Sequence, residues 1–419
     1  MLAEYLYSQW PYQIFRSVFF RGGMAFLSTY WGIIVLMPPL IRYFRRKGIT
    51  SDFVTPSPEP HPYSGGKPIM GGGVLILAIL VSILLWVTWN QFVFALVFIM
   101  LAFAAIGAWD DLAKIKHRRL RVERGEEAGS DHTNKADGIS GHSRLILEII
   151  VAAVVVVGLY RFVDIDGHLV VPFIPLKWWF PYLPRYLFIP FMVLIIVAGA
   201  NAVNLTDGMD SLATVPILTC TIFVAAVAYV GSEPVLAQRL RLPQLPGEMR
   251  ELVIISAAFV SAGLAFLRYN APPAMITMGD LGALALGSTF SAMFIFVKAE
   301  LFLPLVGGVL VLTTVSTIIQ RLFFKLMVLL KGREVAKKFR FFYMAPYHHH
   351  LQSLWTYSNQ ERNVVSVWVE FQKKLGFSPP GSADQFVRSQ DVDSRVIWRL
   401  HNLSILLFVL ALVVYFKVR

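Results

Sequence analysis

The stretch FVFALVFIMLAFAAIGAWDDLAK (92–114) runs for eighteen residues without a charge and then presents two adjacent aspartates, with a lysine one turn later. A bilayer needs on the order of 20 apolar residues to be crossed by one helix. This run therefore reads as a membrane span that ends at Asp110-Asp111. Similar runs recur from one end of the 419-residue chain to the other. Candidate spans fall at about 24–43, 70–89, 92–109, 144–162, 186–200, 209–230, 252–268, 281–298, 301–330 and 396–416. The ninth is long for one crossing, so it is expected to break near Gly307-Gly308 or to continue into water past Gln320. The fold class is an all-α polytopic integral membrane protein of about ten helices, forming a single domain over 1–419.

Composition agrees. The chain is 56% hydrophobic and only 15% charged, against nearer 25% charge in soluble domains. The single cysteine, Cys220, excludes an intrachain disulfide and a thiolate zinc site. The net charge of +12 is explained by cytoplasmic Lys and Arg and by anionic lipid, with no nucleic acid needed. The opening MLAEYLYSQW has no basic n-region, so a cleaved signal is not expected.

Ten spans put both termini on one side. The loops at 42–69, 110–143, 201–208, 269–280 and 321–395 carry well over half of the 38 Lys and Arg. That set is expected to be cytoplasmic, with the termini outward. The outward set includes a hairpin at 164–184, DIDGHLVVPFIPLKWWFPYLP, and a polar connector at 231–251. Neither gathers acids or histidines. The chemistry is therefore expected on the cytoplasmic face.

Four motifs lie there. Asp110, Asp111 and Lys114 form a DDxxK pattern. It reads either as a solvated helix exit or as a carboxylate pair able to bind Mg²⁺ or take a proton, with a lysine for phosphate. NAVNLTDGMDSLA (201–213) carries Asn204, Asp207 and Asp210, more than capping needs. If the segment is helical from Asp207 on, Asp207 and Asp210 share a face. YNAPPAMITMGDLGALALG (269–287) carries Asn270 and ends its proline-stiffened loop at Asp280. Three acidic loops entering one face suggest a divalent cation, and oxygen ligands favour Mg²⁺ or Mn²⁺. SGGKPIMGGG (64–73) is no P-loop, because the GxxxxGK[ST] order is absent. Lys67, at its entrance, can reach a phosphate.

MAPYHHHLQ (344–352) holds His348, His349 and His350. Consecutive residues do not share a helix face, so three-point ligation of one metal is disfavoured. The remaining readings are donors to a phosphate, with one ring holding the loop, or a plain structural loop.

Together these motifs resemble one family. PIMGG (68–72), WDDLAK (109–114), NAVNLTDGMDSLA, YNAPPAMITMGDLGALALG, ELFLPLVGGVLVL (300–312), IIQ (318–320) and MAPYHHH (344–350) occur in family order. They resemble the phospho-N-acetylmuramoyl-pentapeptide-transferases, a branch of the polyprenyl-phosphate N-acetylhexosamine-1-phosphate transferases. The resemblance implies transfer of phospho-MurNAc-pentapeptide from UDP-MurNAc-pentapeptide to undecaprenyl phosphate, giving lipid I and UMP, with Mg²⁺ as cofactor. It implies a bacterial inner-membrane enzyme of peptidoglycan synthesis, and a homodimer. Asp280 falls on the family's metal-binding aspartate. Asp110 and Asp111 fall on its aspartate pair, and Asn204, Asp207 and Asp210 on the nucleotide and metal loop. Lys114 and Gln320 fall on cleft residues. His348, His349 and His350 fall on the motif needed for activity. Of a direct attack and a covalent aspartyl-phosphate route, direct attack by the lipid phosphate is expected.

The chain departs from the family at several points. Ser64 stands at a usual lysine, with Lys67 and Ile69 at two usual threonines. Thr277 stands at a usual aromatic, and Leu351-Gln352 where aromatic-Glu is common. The loop after Asp111 is longer and makes Lys135 the candidate for its next lysine. Residues 355–393 read as an insertion with an amphipathic segment, VSVWVEFQKKL (365–375), over the cytoplasmic face. Rival readings are a relative acting on UDP-GlcNAc, a transporter, and a scaffold without activity. The acids lie at one membrane edge rather than at mid-span, which argues against a transporter.

Overall fold

The computed structural model describes residues 2–51, 67–123, 138, 140–162, 167–174, 181–356, 365–375 and 389–417. The apolar runs form helices because, away from water, only a helix satisfies every backbone N–H and C=O within its own segment. We number them α1 (Val18–Lys47), α2 (Gly72–Trp86), α3 (Gln91–Glu123), α4 (Gly141–Phe162), α5 (Arg185–Thr206), α6 (Thr214–Ser232), α7 (Glu251–Asn270), α8 (Gly279–Phe296), α9 (Gly308–Lys331), α10 (Tyr347–Thr356), α11 (Val367–Lys374) and α12 (Ser389–Lys417). Among the described residues, nine helices are long and apolar enough to cross a membrane, and α2 is a shorter apolar helix of 15 residues. The protein is an all-α polytopic membrane protein.

The centre of the bundle is α8. Every residue from Gly282 to Phe296 is buried. It packs on α3, α5 and α2. Small residues make that possible: Gly72 of α2 meets Gly282 so closely that a Cβ on either would overlap the other's backbone. Helices α1, α4, α9 and α12 are outer members. They expose large apolar side chains such as Trp31, Ile150, Leu326 and Leu406. A lipid-facing surface has this character, whereas a soluble protein rarely shows such patches.

Several boundaries differ from the sequence expectation. Helix α3 does not stop at Asp110 but continues to Glu123. Hydropathy marks where a helix leaves the apolar layer, not where its hydrogen bonds end. Likewise α5 runs on to Thr206, so Asn201 and Asn204 lie on its last turns. The expected break in the ninth span is at Gly307, between a short helix at Leu303–Val306 and α9. Helix α9 also runs on past Gln320 to Lys331. The histidines lie not in a loop but in the first turn of α10.

The 164–184 segment shows a β-bridge between His168 and Tyr182. Of the 355–393 segment, α11 and the start of α12 are described, and Lys135 and Ser64 lie outside the described residues. Helix α11 is tied to the rest by a two-residue parallel pairing, Phe339↔Val365 and Arg340↔Ser366. The Ser366 hydroxyl donates to Phe341 O at 2.8 Å and caps α11 by accepting from Val369 N.

At the far end of α7 from Asn270, Arg21 makes a two-pronged ion pair with Glu251, at 2.8 and 2.9 Å. Glu251 also accepts the Thr88 N–H at 2.8 Å. One buried charge pair thus locks α1, α7 and the exit of α2.

Candidate active site

The polar ends of α3, α4, α5 and α8 converge on Asp280, the second residue of α8. Gly107 of α3 lies so close to the Asp280 backbone that a Cβ there would overlap it. That contact lets α3 bring Asp110 and Asp111, one turn further on, alongside the start of α8. Asp111 accepts the N–H groups of Asp280 at 3.3 Å and Leu281 at 3.1 Å. Asp207 accepts the N–H of Gly279. Two carboxylates from different elements thus cap one helix, where orphan N–H groups and the helix dipole favour negative charge. Gly279 has φ +77, which a side chain would strain.

Two cations bridge the acids. Lys114 Nζ lies 2.8 Å from Asp110 and 2.9 Å from Asp280. Arg144, on the first turn of α4, reaches Asp280 at 3.0 Å and Asp110 at 3.4 Å. Arg144 also pairs with buried Glu148 one turn on, and Glu148 accepts from Asn201 of α5. Arg144, Glu148 and Asn201 were missed in the sequence. Their signal is a charged pair four residues apart at the start of an apolar run, and charges in such runs are rarely idle.

Asp207 keeps part of its surface open. Its surroundings hold its carboxyl well above the usual carboxylate range, first by removal from water and then by the negative charges of Asp280, Asp111 and Asp210. A carboxylate site short of positive charge fits a hard cation in donor chemistry. Among the described residues, no three His, Cys, Asp or Glu side chains are arranged to hold a metal ion.

Asp207 and Asp210 do not share a helix face, because the chain turns after Thr206 and α6 begins only at Thr214. Asp210 instead binds Lys67 Nζ at 2.6 and 2.7 Å and accepts from Ala274 N at 2.9 Å. Lys67 is therefore at the site's rim and ion-paired. The two-residue strand Lys67–Pro68 is held by Thr277, whose N–H donates to Pro68 O at 2.9 Å and whose hydroxyl approaches the same oxygen at 3.4 Å. Asn270 is buried and braces two loops, accepting from Ser211 N at 2.8 Å and donating to Ile276 O at 3.0 Å. Asn204 lies part-exposed at the end of α5.

The three histidines differ. His348 is buried, and neither ring nitrogen has a hydrogen-bond partner among the described residues. Burial and the neighbouring His349 hold its pKa down to about 3. His349 is half-buried, with its Nδ1 2.5 Å from Gln352 Oε1. Buried His350 accepts the Tyr343 N–H at Nδ1, 3.2 Å. Gln320 accepts the Phe342 N–H at 2.9 Å, so His350 and Gln320 both hold the segment leading into α10. A Cβ on Gly208 would lie 2.9 Å from His348 Nε2 and 3.7 Å from His349 Nε2. Thus α10 faces the loop that carries Asp207.

The family profile described as Glycosyl transferase family 4 matches residues 93–298, the segment that holds Asp110, Asp111, Asn204, Asp207, Asp210 and Asp280. Relatives extend the match over the histidines. A phospho-N-acetylmuramoyl-pentapeptide-transferase from a Nitratiruptor species is 36% identical over 371 residues, covering 88% of this chain and 96% of the relative. The chain belongs to the phospho-N-acetylmuramoyl-pentapeptide-transferase family. Transferases of the same name from Koribacter versatilis and Ruegeria pomeroyi are 34% and 36% identical. They align with 88% and 81% of this chain, and with 93% and 88% of their own lengths. Membership makes this membrane protein a transferase.

Proposed function

We propose that the protein transfers phospho-MurNAc-pentapeptide from UDP-MurNAc-pentapeptide to undecaprenyl phosphate, forming lipid I and UMP for peptidoglycan synthesis. The observation that carries this reading is the convergence of Asp110, Asp111, Asp207 and Asp280 with Lys114 and Arg144 in a chain aligned over nearly the whole length of such transferases. In the reaction, an oxygen of the lipid phosphate attacks the sugar-bound phosphorus. The anhydride bond to the uridine-bound phosphate breaks, and UMP leaves with the electron pair. Charge accumulates on phosphate oxygens throughout, so catalysis is largely positioning and charge compensation.

Asp110 and Asp111 orient the acceptor phosphate or take its proton. Lys114 and Arg144 turn from the aspartates to the phosphates, as charged donors suited to anions. Asp280 would hold Mg²⁺, which when bound offsets diphosphate charge. Lys67, with Asp210 and Asn204, borders the approach for the nucleotide sugar. The His348–His350 helix faces that border.

The distribution of Lys and Arg supports a cytoplasmic site in the bacterial plasma membrane, with both termini outward. The acceptor's headgroup stays at that membrane edge while the nucleotide sugar arrives from water. The resemblance alone carries a homodimer, which the mass of the purified protein in detergent tests.

The test is UMP release by purified protein given a C55 polyprenyl phosphate, Mg²⁺ and either UDP-MurNAc-pentapeptide or UDP-GlcNAc. Release with the first and not the second, lost on chelation and restored by Mg²⁺, is the expected result. Release with UDP-GlcNAc alone assigns the other branch.

A further inference from the structure

The His349 ring ends a short hydrogen-bonded chain that the proposed reaction has not yet used. Its Nδ1 lies 2.5 Å from Gln352 Oε1, one turn along α10. Gln352 Nε2 in turn donates to Asp393 Oδ1 of α12 at 2.6 Å. These contacts allow one assignment. The Asp393 oxygen is the acceptor of this bond, so the Gln352 NH₂ faces Asp393. The amide oxygen then faces His349 and can only accept, so the hydrogen sits on His349 Nδ1. His349 Nε2 is left as a lone pair on the neutral ring, or as a second N–H on the charged one.

That nitrogen lies on the side of Gly208, next to Asp207. Neither neighbouring histidine is held in this way. His348 has no hydrogen-bond partner among the described residues and is kept neutral by burial, and His350 Nδ1 accepts a backbone N–H. Among the described residues, His349 is flanked by His348, with ring centroids 4.4 Å apart, and reaches Asp393 through Gln352, while Asp207 adjoins Gly208 in the loop that His349 Nε2 approaches. Asp210 and Lys67 lie within electrostatic reach of Asp393.

We propose that Gln352 and Asp393 are positioning residues that fix the proton of His349 on Nδ1 and aim its Nε2 at the Asp207 loop, where the transferred substrate binds. This rests on the transferase reading for its catalytic consequence, but not for the state of the ring. Partners that orient metal-bound histidines from behind change affinity or activity by about 10–100-fold when removed, and the same order is expected of a histidine oriented toward substrate.

The test compares the full-length protein with Asp393→Leu, Gln352→Leu and the paired exchange Gln352→Glu/Asp393→Asn. In the exchange, a carboxylate contacts His349 directly and the amide then at position 393 can donate to it. The pattern of donors is rebuilt with the charge moved one step inward. Long-range ¹H–¹⁵N spectra of histidine-labelled protein in detergent report the tautomer, with the His349 signals identified by their loss in His349→Gln. The expected result is an Nδ1–H tautomer in the wild type and the exchange, and a mixture in the two single variants. UMP release is expected to fall about tenfold or more in kcat for the single variants, with KM for the nucleotide sugar little changed. It should recover in the exchange.

An unchanged tautomer in both single variants overturns the proposal, as does a wild-type kcat in Asp393→Leu. A wild type that releases no UMP but shows the expected tautomers leaves the positioning standing and sinks the transferase reading instead.

Discussion

Asp111 caps the helix that carries Asp280, accepting the Asp280 N–H at 3.3 Å and the Leu281 N–H at 3.1 Å. One aspartate therefore sets the backbone on which the other is presented. Gly107, one turn before Asp111, lies against the Asp280 backbone. A side chain at Gly107 must push α3 and α8 apart. Gly107→Ala is expected to remove most UMP release in a protein that still inserts and purifies, because displacements of about 1 Å can cost on the order of a hundredfold.

Arg144 joins Asp280, Asp110 and Glu148 from α4. Arg144→Ala should lower kcat by about 10²–10³, the scale of losing one preorganised charged donor. Arg144→Lys should recover little, since a single ammonium cannot reproduce the planar fork. Steady-state UMP release on the two variants decides this: wild-type kcat in Arg144→Ala removes Arg144 from the site, and wild-type kcat in Arg144→Lys removes the need for the fork.

His348 supplies a pH dependence of stability. Its folded pKa of about 3 lies below the ordinary 6.5. Between those values the unfolded chain binds the proton and the folded protein does not. Stability is thus full above about pH 6.5 and falls as pH drops, by up to about 1.4 kcal/mol per pH unit. His348→Gln should flatten the acid side of a plot of melting temperature against pH, whatever it does to activity. An unchanged acid slope contradicts a buried neutral His348.

Asp207 has the opposite sign. Its folded carboxyl titrates well above the ordinary range, so ionising it costs stability increasingly as pH rises. Asp207→Asn keeps an acceptor for the Gly279 N–H and removes that charge. It should melt higher than wild type near neutral pH, with the difference closing toward about pH 4, the ordinary carboxylate range. UMP release should fall, in the usual exchange of stability for function.

The polar outline of the site was legible because carboxylates at the ends of apolar runs are conspicuous. Asp110, Asp111, Asp207 and Asp280 stand out against their neighbours in this way. What a side chain faces was not legible. Asn270 and His350 carry the same chemistry as substrate contacts, yet burial turns them into braces. Arg144 and Glu148 were hidden at the start of a span whose mean character is apolar. The Gln352–Asp393 contact joins residues 41 positions apart, and only the packing of α10 on α12 brings them together. Helix ends past Asp110 and Asn201 were missed because polar helix and polar loop look alike in hydropathy.

Asp280 is the residue on which the transferase reading turns, because the other acids and both cations gather around it. UMP release by wild type and Asp280→Asn, side by side, tests that role. Both are assayed with UDP-MurNAc-pentapeptide, undecaprenyl phosphate and Mg²⁺, and their melting temperatures are recorded on the same preparations. UMP from the wild type and none above background from a folded Asp280→Asn is the expected outcome. Full activity in Asp280→Asn, or no UMP from an intact wild type, overturns it.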